Sequence, residues 1–198
     1  MSRILIVFVC TLCLATIPVQ ANQLVNGNFN TGDFTGWWTY CDDAVNQAVN
    51  IEPGSGYNFD GTASANLWSA SSTWSAQLGQ DFAIGSNLTY NLSFVYSGEC
   101  GSDWGTAAVA IRYWDASWTD LGVYPWFALY QQSAAPNAYG VWLPYSNDFA
   151  TPTGTAHMEL KFQAADWTNL HVDNVVVTPE PATMALLALG GLALRRRK

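Results

Sequence analysis

Residues 88–96 read LTYNLSFVY. Leu88, Tyr90, Leu92, Phe94 and Tyr96 fall on one face of an extended chain, and Thr89, Asn91 and Ser93 fall on the other. Residues 157–163, HMELKFQ, repeat the pattern, with Met158, Leu160 and Phe162 alternating against His157, Glu159, Lys161 and Gln163. TAAVAIRYW (106–114) and NLHVDNVVV (169–177) are strand-like in the same way, rich in β-branched and aromatic residues. Between such runs stand turn-forming clusters: EPGSG (52–56), SGECGSD (97–103) and QSAAPNAYG (132–140). No stretch carries a helical period. About ten short strands with turns between them predict an all-β antiparallel sandwich or jelly roll.

Composition agrees with one aromatic-rich folded unit. The chain has 198 residues, 49% of them hydrophobic, only 11% charged, and ten are tryptophan. Its formal charge is −8. Between Asn22 and Thr178 the only cations are Arg112 and Lys161, against every acid of the chain but Glu180. So acidic a surface repels phosphate backbones, which excludes nucleic acid as a partner and suits neutral ligands or divalent cations.

The two ends differ from the middle. Residues 1–21 begin with Arg3, continue through an apolar run from Ile4 to Ile17 and end Val19-Gln20-Ala21. This predicts a secretory signal helix cleaved after Ala21. Cys10 and Cys13 leave with it, and the remaining pair, Cys41 and Cys100, predicts a disulfide in an oxidising compartment. At the other end the thirteen residues Ala182–Leu194 carry no charge, and Arg195, Arg196, Arg197 and Lys198 follow. As a helix this segment would cover about 20 Å, short of the roughly 30 Å hydrocarbon core, with the cations retained on the cytoplasmic side. It reads as a transient inner-membrane anchor. The expected organisation is therefore 1–21 signal, 22–178 β-domain and 179–198 handling tail.

Pro179-Glu180-Pro181, the apolar helix and the basic end, in that order, resemble the PEP-CTERM sorting signal of Gram-negative bacteria. The resemblance implies processing by an exosortase and a destination at the cell surface or in an extracellular matrix, often linked to exopolysaccharide. The domain's own ends carry a second resemblance. Asn26, Gly27, Phe29, Asn30, Gly32 and Trp37 at its start, with Asp173, Asn174 and Val175 at its close, are similar to the galactose-binding-like jelly rolls, including carbohydrate-binding modules. That family implies a structural Ca²⁺ between first and last strands, held here by Asn30 and Asp173. Asn30 stands where an acid is common, which removes one negative charge. The alternative role for Asp173 is a hydrogen bond that ties down the opening loop.

The tryptophans are the candidate ligand residues, because sugars present apolar C–H faces to flat rings. Trp114 and Trp118 flank an expected turn at Asp115–Ser117, and Tyr124 and Trp126 follow them closely. Trp68, Trp74 and Trp104 come next in order, whereas Trp37 and Trp142 read as structural. Catalysis has little support: there is no G-x-S-x-G and no H-E-x-x-H, and His157 and His171 stand alone. Nothing in the sequence pairs Glu52, Glu99 or Glu159 as hydrolysis of a glycan requires. The reading is an exported, non-catalytic protein that binds an extracellular polysaccharide. The alternatives are a structural or adhesive protein without a sugar site, or a glycan hydrolase.

Overall fold

A computed structural model describes residues 22–53, 59–70, 75–100, 105–122, 125–131 and 141–180. The signal segment with Ala21, and the tail from Pro181 through Arg195, Arg196, Arg197 and Lys198, lie outside the described residues. Ten strands are present among the described residues: β1 Trp38–Cys41, β2 Gln47–Glu52, β3 Ser64–Ser69, β4 Ser75–Ala83, β5 Thr89–Cys100, β6 Thr106–Trp114, β7 Trp126–Gln131, β8 Leu143–Ala150, β9 His157–Ala165 and β10 Thr168–Pro179. They form two five-stranded sheets, β1-β4-β9-β6-β7 and β2-β3-β10-β5-β8, and every pairing is antiparallel. This is the expected β-sandwich with jelly-roll character. We call the two sheets A and B in that order.

Alternation builds the core. Met158, Leu160 and Phe162 of β9 point inward with Val109, Ile111 and Tyr113 of β6 and Leu78 of β4. Sheet B answers with Leu67, Leu92, Phe94, Leu170 and Val172. Phe94 and Phe162 meet edge to face across the gap, ring centroids 5.0 Å apart. Each such buried side chain contributes roughly 1.5–3 kcal/mol over an exposed one.

The opening segment closes one end of the sandwich. Phe29 is fully buried, with its ring 5.4 Å from that of Trp37. The β10 register shifts between Asp173 and Val176, and Asn174 takes a left-handed φ of 51° there. That bulge turns the Val175 amide toward the Gly27 carbonyl at 2.8 Å. A Cβ at Gly27 would stand 2.1 Å from the Val175 oxygen, so only glycine permits the approach. Gln80, buried on β4, clasps the same segment through both the amide and the carbonyl of Val25.

The expected disulfide is not formed. Cys41 ends β1, which packs over β2 at one edge of the sandwich, and Cys100 ends β5, three strands away from β2 in sheet B. Three interstrand spacings amount to about 14 Å, whereas bridged cysteines need Cα atoms within about 7 Å. The Cys100 sulfur sits instead 3.5 Å from the Thr168 hydroxyl, and burial pushes the Cys41 thiol pKa up. An even cysteine count and an oxidising compartment speak to opportunity; strand order decides proximity.

Candidate functional site

The outer face of sheet A follows from the strand registers. In one row across all five strands stand Trp38, Gly79, Lys161, Ala110 and Trp126. The next row holds Tyr40, Gln77, Gln163, Ala108 and Ala128. On the other side of the first row come Asp81, Glu159 and Arg112, then Ala83, His157 and Trp114. Small residues on β4 and β6 thus flank the central strand, which presents His157, Glu159, Lys161 and Gln163, and aromatic rings stand at both edge strands. Four strand spacings separate those edges, about 19 Å.

The walls are fixed differently. Trp38 leans over Gly79, where an added Cβ would lie 2.2 Å from its Cζ2, and its indole lies beside the Asp81 carboxylate. Trp126 is 49% exposed and borders a depression of about 360 Å³ lined by Ala110, Arg112, Glu159 and Lys161. Trp118 lies at one end of the face. Asp115 caps the turn before it, accepting from the Ser117 amide at 2.7 Å and the Thr119 amide at 2.9 Å. Those bonds, from Thr119 first and Ser117 next, hold the Asp115 pKa down. The turn leaves Trp118 at a left-handed φ of 61°, an uncommon conformation for a bulky side chain. Its ring stacks on His157 at 4.0 Å and remains 52% exposed.

Trp114 is half-buried, 6.3 Å from Trp118, and the Arg112 guanidinium covers its ring at 4.1 Å. That contact adds roughly 0.5–1 kcal/mol and occupies one face of the indole. Arg112 also forms an ion pair with Asp120 at 2.5 Å. Glu159 is held above the usual carboxylate range by partial burial, opposed by Lys161 and Arg112 and reinforced by Asp81 and Asp120. Partial burial also raises Asp81. The face therefore combines flat apolar rings with amide, ammonium, guanidinium and carboxylate groups, a set that can stack on sugar rings and read their hydroxyls.

Of the residues expected to bind ligand, Trp114, Trp118 and Trp126 all stand on this face, while Tyr124 lies outside the described residues. So do Trp74 and Trp104. Trp37 is a core residue. Trp142 packs edge-on against His171 and Phe59 on the outer side of sheet B, where Trp68 is 39% exposed. Trp38, Tyr40 and Lys161 were not singled out by sequence reasoning. The outward positions of β6 held the available clue, since Ala108 and Ala110 stand where a solvated strand face carries longer polar side chains.

The expected cation ligands are placed apart in character. Asn30 is exposed in the opening loop, its amide bonded to the Asn28 side chain at 3.3 Å. Asp173 is completely buried; its Oδ1 accepts from the Asn174 amide at 2.6 Å, and its Oδ2 has no hydrogen-bond partner among the described residues. Burial, with the nearby Asp60 charge adding to it, pushes the Asp173 pKa up to about 7. Among the described residues no group of three or more His, Cys, Asp or Glu side chains is gathered to hold a metal ion.

Two sheets of this order define a jelly roll of the kind found in carbohydrate-binding modules. The domain superposes with a TM-score of 0.56 on a family 61 carbohydrate-binding module in complex with β-1,4-galactotriose, at 18% identity over 81% of this chain and 99% of that one. A family 16 carbohydrate-binding module gives 0.55, at 21% identity over 79% and 99%. The enzymatically active domain of bacteriophage CBA120 tailspike protein 4 gives 0.64, at 14% identity over 80% of this chain, which spans about a fifth (21%) of that chain. At these identities the likeness establishes the fold. No curated relative matches in sequence.

Residues 177–198 match the model of the PEP-CTERM protein-sorting motif. The chain is thus an exported protein sorted to the cell envelope, carrying a jelly-roll domain ahead of its sorting motif.

Proposed function

We propose that this protein binds a polysaccharide along the outer face of sheet A, with the glycan lying across the strands between the Trp38–Tyr40 edge and Trp126. The observation that carries the reading is one row, Trp38-Gly79-Lys161-Ala110-Trp126, in which aromatic rings at both edge strands flank two small residues and a central ammonium. Both cations of the domain, Arg112 and Lys161, stand on this same face, where they donate to hydroxyl or ring oxygens. Stacking supplies apolar contact, and repeated weak contacts along a polymer add by avidity. Exosortase processing at the tail would deliver the module to the surface or matrix of a Gram-negative cell, where the glycan is an exopolysaccharide.

A structural Ca²⁺ belongs to the same proposal. Asp173 Oδ2 is buried without a partner among the described residues, so the carboxylate fits a hard cation, with Asp60 as the neighbouring acid. The structural reading without a sugar site expects buried tryptophans, whereas Trp118 and Trp126 are about half exposed. The hydrolase reading needs carboxyls on either side of a scissile bond. Asp81 and Glu159 are cross-strand partners and project side by side from one face.

Affinity electrophoresis of the exported protein through gels containing neutral and acidic polysaccharides tests the proposal. Retardation by at least one glycan, lost in Trp126→Ala, is expected. Unchanged mobility in every gel, including one made with the host's own exopolysaccharide, rejects it.

A further inference from the structure

The sorting motif does not begin beyond the folded domain. Residues 177–198 match it, yet Val177, Thr178 and Pro179 are rungs of β10, opposite Leu92, Asn91 and Tyr90 of β5. The ladder continues one residue further, where the Glu180 amide donates to the Thr89 carbonyl at 2.9 Å. On its other side the strand is held by the opening segment. Asn22 accepts from the Val177 amide at 2.9 Å and donates to the Val175 carbonyl at 2.8 Å, and the Gln23 amide donates to the Val177 carbonyl at 3.0 Å. The Glu180 side chain lies against Asp148 of β8, whose own carboxylate accepts from Asn91 at 2.7 Å.

From this we propose that the first residues of the sorting motif are latched into sheet B, so that the membrane peptidase can cut only after the end of β10 frays from β5. The inference rests on reading the tail as a processed signal. A peptidase takes its substrate as an extended single strand and uses the backbone groups that the ladder already engages. Glu180 cannot donate its amide to Thr89 and to an enzyme at once. Reach adds a second constraint. Ala182, where the apolar run begins, is two residues beyond Glu180, at most about 7 Å of chain. A latched domain therefore lies flush with the membrane surface and leaves the enzyme no linker to enter.

Fraying of a strand end is a local opening, which costs far less than global unfolding. The latch thus slows cutting of a folded domain without forbidding it, and favours cutting before the last strand docks. The cut itself is an acyl transfer: the scissile carbonyl carbon passes to an acceptor nucleophile, water or an amine. The C-terminal fragment leaves as an amine with the proton that the acceptor gave up.

Two variants of the full chain test this in cells that process the wild type, with cutting followed by pulse-chase. Thr178→Cys with Asn91→Cys places thiols at directly opposed positions, where a disulfide staples the strand end one residue before the motif's first proline. Cutting is expected to slow by about ten-fold or more and to recover when the staple is reduced, which a misfolded variant would not do. A six-residue Gly-Ser insertion between Thr178 and Pro179 leaves the tail from Pro179 onward intact and frees it from the sheet, and cutting is expected to accelerate. Hydrogen exchange on the uncut chain should show the Glu180 amide protected about ten-fold or more relative to the same amide in an unstructured peptide. A stapled chain cut at the wild-type rate, or a Glu180 amide that exchanges as fast as in an unstructured peptide, overturns the latch alone. A wild-type chain that no exosortase-containing cell cuts overturns the latch together with the sorting reading.

Discussion

His171 and Asp173 stand two residues apart on the outer side of β10, both nearly or wholly buried, and they pull the stability of the domain in opposite directions with pH. The Asn66 amide nitrogen lies 2.9 Å from His171 Nε2, which accepts there when the ring is neutral, and Trp142 covers the ring edge-on. Burial lowers the His171 pKa from 6.5 to about 4. Its neutral form is fully favoured above pH 6.5, and that stability is lost as pH falls toward 4. The loss approaches about 3 kcal/mol. Asp173 has its pKa raised from 3.8 to about 7. Its protonated form stabilises the fold below pH 3.8, and that contribution is lost as pH rises through 7, to a limit of about 4 kcal/mol. Between pH 4 and 6.5 the two slopes oppose each other. Urea denaturation at intervals from pH 4 to 8, in EDTA so that no divalent cation pairs with Asp173, resolves them. Wild type is expected to run nearly parallel to a variant that lacks both groups across that window. Relative to the double variant, which keeps only the slope of groups such as Asp81 and Glu159, His171→Asn should lose about 4 kcal/mol on going from pH 4 to 7 and Asp173→Asn should gain about 3 kcal/mol from pH 4 to 6.5. Single variants with slopes of the same sign, or profiles indistinguishable from the double variant, refute the reasoning.

Gly79→Ala tests the wall of the groove: the new methyl must displace the Trp38 ring, so glycan affinity should fall about ten-fold while the thermal midpoint moves only slightly, measured by affinity electrophoresis and calorimetry. Gly27→Ala tests the closure of the sandwich: its Cβ meets the Val175 carbonyl, and a loss of about 3 kcal/mol or more is expected by chemical denaturation, with the β10 bulge disturbed. Because Cys41 and Cys100 are not bridged, a reducing agent should leave the melting temperature unchanged, and mass spectrometry after alkylation should find both thiols modified.

Alternation made the sheets legible. LTYNLSFVY and HMELKFQ became β5 and β9 with their apolar faces inward, and the strand-like TAAVAIRYW became β6, because a period of two commits each side chain once one face is buried. The order of strands was not legible, and the error about Cys41 and Cys100 came from there. The site was legible in kind but not in position. Trp114, Trp118 and Trp126 carry the aromatic signal along one segment. Trp38 is in the adjacent Trp37-Trp38 pair, where one ring faces the core and its neighbour the groove, and only the register of β1 on β4 tells them apart. Lys161 belongs to the groove because Gly79 and Ala110 flank it across strands, a relation spread over three distant parts of the chain.

The central claim is that the ligand lies on the outer face of sheet A. The most direct measurement is a nitrogen-edited NMR titration of the indole N–H signals with a polysaccharide that the protein retains in gels. Signals of Trp38 and Trp126 should shift together and saturably, with Trp118 following when the chain of sugars is long enough, while Trp68 and Trp142 on sheet B stay in place. Shifts confined to Trp68 and Trp142, with Trp38 and Trp126 unmoved at saturation, would contradict the account.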